Sequence, residues 1–174
     1  MPNALTSSNV TAAGDLRTNQ LNPARNGLVS GFKMHDFIGM LQYPLAETVP
    51  YFGQKPVGAV FDFVMNPGAI NGLGQGYSVE VFLGALSKPR DIKLKYGYAD
   101  VEQDAVLAAF AQDNIPLGSN YQNHTIGLEY QLLDHTYLNL AWYLYQRKRL
   151  DRADVTADDD QLQSRFRLDI LVKF

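Results

Sequence analysis

Every second residue of the stretch QLQSRFRLDILVKF (161–174), counted from Leu162, reads Leu, Ser, Phe, Leu, Ile, Val, Phe. The interleaved set reads Gln, Gln, Arg, Arg, Asp, Leu, Lys. One face is apolar and the other charged, the signature of an extended strand between two different media. The period of two recurs upstream. In 136–149, Leu138, Leu140, Trp142 and Leu144 alternate with Tyr137, Asn139, Ala141, Tyr143, Tyr145 and Arg147. In 122–133, Ile126, Leu128, Tyr130 and Leu132 oppose Thr125, Gly127, Glu129 and Gln131. In 90–100, Ile92, Leu94, Tyr96 and Tyr98 oppose Asp91, Lys93, Lys95 and Gly97; in 76–86, Tyr77, Val79, Val81 and Leu83 oppose Ser78, Glu80, Phe82 and Gly84. Segment 56–66 alternates less cleanly, and 31–45 is the weakest strand of the seven.

The links between these segments alternate in length. Leu133–Asp134–His135 and SKPRD (87–91) are short, with proline and charge as turn punctuation. NPGAINGLGQG (66–76), residues 101–122 and residues 149–160 are long and polar, and DAVLAAFAQ inside the second is expected to form about two helical turns. Short turns on one side and long loops on the other describe an antiparallel up-and-down meander, the plan of outer-membrane barrels. Residues 1–30 show no alternation and read as an irregular outer loop or extension.

Such a sheet has two orientations. In a soluble, lipocalin-like barrel the apolar face packs inside around a small apolar ligand. In a transmembrane barrel the apolar face meets lipid and the polar face lines a wet lumen. The second is favoured here by uniform apolar faces and by Tyr77, Tyr96, Tyr98 and Tyr130 near their ends, where barrels carry aromatic girdles. The final strand, ending on Phe174, points the same way, because terminal residues of soluble chains fray. The expected lipid-facing residues are Leu138, Leu140, Trp142, Leu144, Phe166, Leu168, Ile170 and Val172. The expected lumen-facing residues are Lys93, Lys95, Glu80, Glu129, Tyr143, Tyr145, Arg147, Arg165, Arg167 and Asp169. Arg165 and Arg167 should meet Tyr143, Tyr145 and Arg147 in a basic and aromatic patch. That patch either tunes solute selectivity or only solvates the lumen, neutralised by Glu129, Glu80 or Asp62.

Composition removes other classes. The 174 residues carry a net charge of -3, so a nucleic-acid-binding surface is not expected. There is no cysteine, hence no disulfide, thiolate metal site or cysteine nucleophile. No run approaches the ~18 apolar residues of a membrane helix, and MPNALTSSNV has neither a basic nor an apolar region of a signal peptide. GLGQG (72–76) lacks the spacing of a dinucleotide fingerprint. His35, His124 and His135 lack metal-ligand spacing, and Asp154, Asp158, Asp159 and Asp160 lack that of a calcium loop and read as a solvated loop. No G-x-S-x-G occurs. No catalytic residue, cofactor or metal is expected.

Leu168, Ile170, Val172 and Phe174 resemble the C-terminal signal strand of Gram-negative outer-membrane proteins. LKYGYADVEQDAVLAAFAQDN, followed by NHTIGLEYQL, TYLNLAWYLYQRKR and DDDQLQSRFRLDILVKF, resembles the end of a family of bacterial outer-membrane porins over about residues 56–174. The resemblance implies a non-enzymatic β-barrel in outer-membrane lipid that passes small hydrophilic solutes or ions, with trimer formation as a further possibility. It also implies insertion by the barrel-assembly machinery through the Phe174 end. A barrel that anchors the envelope without conducting is the remaining membrane alternative. Relatives in that family are longer and begin with a signal peptide. Seven strands are odd where bacterial single-chain barrels are even. The expectation is therefore the C-terminal part of a larger, about 16-stranded barrel, the alternative being an eight-stranded barrel with a poorly visible first strand.

Overall fold

Strand after strand, the alternating segments pair with their sequence neighbours. The computed structural model describes residues 19, 27–45, 55–70, 72–108, 111, 114–148 and 161–173. Seven strands form: β1 (His35–Pro44), β2 (Pro56–Met65), β3 (Gln75–Gly84), β4 (Ile92–Val101), β5 (Tyr121–Leu133), β6 (Thr136–Arg147) and β7 (Gln163–Val172). They make one sheet in the order β1-β2-β3-β4-β5-β6-β7, every neighbouring pair antiparallel. The sheet is open, and no ladder joins β7 to β1. The fold is thus all-β and antiparallel. The strands run 10 to 13 residues.

The ladder registers collect all the apolar alternates on one face. Leu41, Ala59, Val81, Tyr96, Ile126, Trp142 and Phe166 stand in one row across the whole sheet. Tyr43, Val57, Leu83, Leu94, Leu128, Leu140 and Leu168 form the next. Because side chains alternate with period two, a slip of one residue anywhere would break both rows, so the pattern itself fixes the register.

The other face carries the buried core. Val101 of β4, Tyr121 of β5 and Ala141, Tyr143 and Tyr145 of β6 pack against Ala105, Ile115 and Leu117 of the loop 102–120. That loop folds back over the polar face of the sheet. In the described part of DAVLAAFAQ the expected helical turns do not form: residues 104–108 make turns, a bend and a single 3₁₀ residue, and residues 109, 110 and 112 lie outside the described residues. The reason is a competing set of hydrogen bonds. Asp104 O accepts from Asn66 Nδ2 at 2.8 Å, and Val106 O and Ala108 N are both taken by the side chain of Asn19. Groups that a helix would pair internally are spent on distant side chains. Most of residues 1–30, the whole acidic loop 149–160 and Phe174 lie outside the described residues.

Candidate functional site: the covered polar face

On the covered face the registers build further rows. One runs Ile38, Asp62, Ser78, Ala99, Asn123, Tyr145 and the next runs Met40, Val60, Glu80, Gly97, Thr125, Tyr143, Arg165. A third runs Gly58, Phe82, Lys95, Gly127, Ala141, Arg167, and a fourth Lys93, Glu129, Asn139, Asp169. All ten candidate lining residues, from Glu80 to Asp169, therefore project from this face, and the eight candidates Leu138 to Val172 project from the other.

Two glycines make room for long neighbours here. A methyl on Gly58 would stand 2.5 Å from the Phe82 ring, and one on Gly127 would stand 3.1 Å from Lys95 Cε. Lys95 crosses Gly127 to reach Glu129 Oε1 at 2.5 Å, and Lys93 holds its ammonium 4.7 Å from the Phe82 ring centre. Arg167 Nε donates to Asp169, 2.9 Å from Oδ2, and its Nη1 donates to Asn114 Oδ1 of the loop. Arg165 does face Tyr143, but Arg167 faces Ala141. The neutralising partners also differ from expectation: Glu129 is held by Lys95, and Arg167 by Asp169. Tyr143 and Tyr145 lie under the loop instead of facing open space.

Between sheet and loop lies a cavity of about 450 Å³. Its floor is Gly76, Ser78, Gly97, Ala99 and Gly127, its walls include Asp62, Glu80 and Asn123, and its roof is Val106, Ala111, Asn114 and Gly118. Toward the short-turn end follows a cleft of about 700 Å³ lined by Met40 and Gln42 of β1 and also by Leu171 and Lys173 at the far strand, so the sheet curls toward this face.

What fixes the roof is a knot of short polar side chains. Asn19, fully buried, donates to Gln103 O (2.7 Å) and Val106 O (2.8 Å) and accepts from Ala108 N (2.9 Å). Asn66 accepts from Lys33 N and Gly68 N and donates to Gly31 O and Asp104 O. Ser30 Oγ closes the ring by donating to Asp104 Oδ2 at 2.6 Å. Three stretches far apart in sequence are pinned to one another this way. None of these residues is marked by the period of two.

The bare face ends in a polar rim on the long-loop side. Tyr98 packs 5.0 Å from His124 and 6.0 Å from Tyr77, and the Tyr96 hydroxyl lies 2.9 Å from His124 Nδ1. One step outward, Gln122 Nε2 donates to Asp100 Oδ2, Gln146 Nε2 to Gln122 Oε1, and Lys148 pairs with Asp100. Tyr130, also expected near a face's end, lies toward the opposite one.

At the short-turn end, outside the ladders, Asp91 caps the 85–91 turn. Ser87 N and Lys88 N donate to its Oδ2 at 2.8 and 3.0 Å, and Lys55 pairs with it. Burial pushes this carboxyl up, but the Lys55 ammonium and the two backbone N–H groups outweigh it and hold it below the usual range. Among the described residues no group of three His, Asp or Glu side chains is placed to hold a metal. Compared with family models, curated proteins and solved structures, the chain matches none.

Proposed function

We propose that these seven strands are part of a bacterial outer-membrane β-barrel through which small hydrophilic solutes or ions diffuse. The bare apolar face meets lipid, and the covered face lines the lumen. One observation carries the reading: the chain's own loop packs on the polar face, while the apolar face is left bare by every described segment. Trp142 is 44% exposed and Phe166 67% exposed. A lipocalin-like barrel has the opposite arrangement, with its apolar alternates turned inward. Unbroken rows of Leu, Val, Ile and aromatic side chains are costly in water, at roughly 25 cal/mol per Å² of apolar surface. In hydrocarbon the same rows cost nothing. The girdle of Tyr77, Tyr96, Tyr98 and His124, followed by the Asp100–Gln122–Gln146–Lys148 rim, matches the change from hydrocarbon to headgroups.

Trp142, the only tryptophan, supplies the test. In vesicles containing brominated acyl chains its fluorescence should be strongly quenched. An unquenched indole in a folded, vesicle-bound protein would sink the lipid-facing assignment. Single-channel recording on the assembled barrel then separates a pore from a non-conducting anchor.

A further inference from the structure

We infer that the cavity under the 102–120 loop is a binding site for an organic cation with N–H donors at both ends, of the size of a short aliphatic diamine. The inference rests on the pore reading only in taking the covered face as wet. Its basis is an excess of acceptors. Asp62 and Glu80 both line the cavity, and among the described residues neither has a lysine or arginine within ion-pair distance. Asp36 stands on the same face, diagonal to Asp62 across the β1–β2 ladder. Carboxylates this close repel unless a proton or a cation lies between them. The lysine that lines the cavity, Lys95, is already closed onto Glu129.

A second observation, independent of the acids, lies on the opposite wall. Asn123 is 5% exposed and its Oδ1 has no hydrogen-bond partner, while its Nδ2 is spent on Thr125 Oγ1 at 3.0 Å. Asn139, also lining the cavity, repeats the arrangement: Nδ2 donates to Asp169 Oδ2 and Oδ1 is left without a partner. A buried acceptor left unpaired costs about 1–3 kcal/mol. Both walls thus ask for donors. Asp62 and Asn123 share a row three strands apart, about 14 Å between backbones at about 4.8 Å per strand. The floor between them is Ser78 and Ala99, so nothing bulky fills the span. A four-carbon chain with an ammonium at each end fits it, and the cavity is within the range of small-molecule sites, about 300–1,000 Å³.

The test is calorimetric titration of the refolded full chain in detergent with 1,4-diaminobutane. Tetramethylammonium serves as a cation without donors and 1,4-butanediol as a neutral chain. The diamine should bind at least tenfold more tightly than either. Glu80→Gln and Asp62→Asn should each weaken it at least tenfold with the β-sheet circular dichroism unchanged, whereas Asp134→Asn, in the β5–β6 turn, should have no effect. Equal binding of diamine and tetramethylammonium overturns the inference, as does wild-type affinity in Glu80→Gln, which decides alone if Asp62→Asn does not fold. Binding is read without conduction. An assembled, closed barrel that binds the diamine but never conducts keeps the site and removes the pore.

Discussion

Leu140 and Asn139 are consecutive residues that meet opposite conditions. Leu140 stands between Leu128 and Leu168 on the bare face, while Asn139 stands between Glu129 and Asp169 on the covered one. Leu140→Arg places a guanidinium in mid-strand among leucines and should cost ~2–4 kcal/mol if that face meets hydrocarbon. Asn139→Arg places the same group between two carboxylates and should be tolerated. Urea midpoints of the two variants, refolded in lipid, check the order, and the reverse order would mean that the faces are exchanged. Asp91 carries a pH prediction. Its folded pKa lies below the unfolded value of about 3.9, so its contribution is complete above that pH and is lost as pH falls through the folded value. Thermal midpoints should therefore drop on acidification below about pH 4, and Asp91→Asn should start lower at pH 7 and fall less over that range. An acid limb of equal depth in both proteins would show that the turn carboxyl is not the group responsible.

Among the elements, β3 to β7 were legible because each has one apolar and one polar face. β1 was the least legible, and the structure gives the reason. Phe37, Leu41 and Tyr43 stand on one side, and on the other Ile38 and Met40 sit between Asp36 and Gln42, so the alternation has little contrast to show. The loop 102–120 was legible as a loop and as nothing more. Its fold depends on Asn19 and Asn66, side chains of the type that composition assigns to turns, acting over separations that no local pattern records. Asn66 announces only an Asn-Pro turn; Asn19 announces nothing. For the same reason the cavity was missed as a unit. Asp62 was visible only as a counter-ion, and Asp36 and Asn123 acquire a role only once the register places them. Asn19→Ala strips the Asn19 partner from Val106 O and Ala108 N, each worth about 1–3 kcal/mol if it stays buried, while Gln103 O keeps its hydrogen bond from Ser119 Oγ. Opening the loop relieves that cost without disturbing the ladders. Hydrogen exchange should accordingly rise over 103–108 while β4 and β5 keep their protection; uniform loss of protection would show that the loop and the sheet unfold as one.

At the scale of the whole molecule the open edges decide what the chain can do alone. β1 and β7 each present a row of backbone N–H and C=O groups with no partner strand in the sheet, and both strands are exposed along almost their whole length. In water such edges invite association. In hydrocarbon each unpaired group costs several kcal/mol, and spanning sheets are found closed. The odd count of seven adds to this, since bacterial single-chain barrels close on even numbers. Residues 1–15 offer no apolar alternation from which to make an eighth strand. If these strands span a membrane, the partners of β1 and β7 have to come from outside the seven, and a longer polypeptide or a second copy would supply them. The 174-residue chain refolded alone into planar bilayers should accordingly give no stable conductance steps. A cysteine placed at Gly39 and another at Leu168 should not cross-link within one chain, and a cross-link between chains would identify the second copy as the missing partner. Steady single-channel steps together with an intramolecular Gly39→Cys/Leu168→Cys disulfide would show a small barrel that closes by itself, and the requirement for further strands would fall.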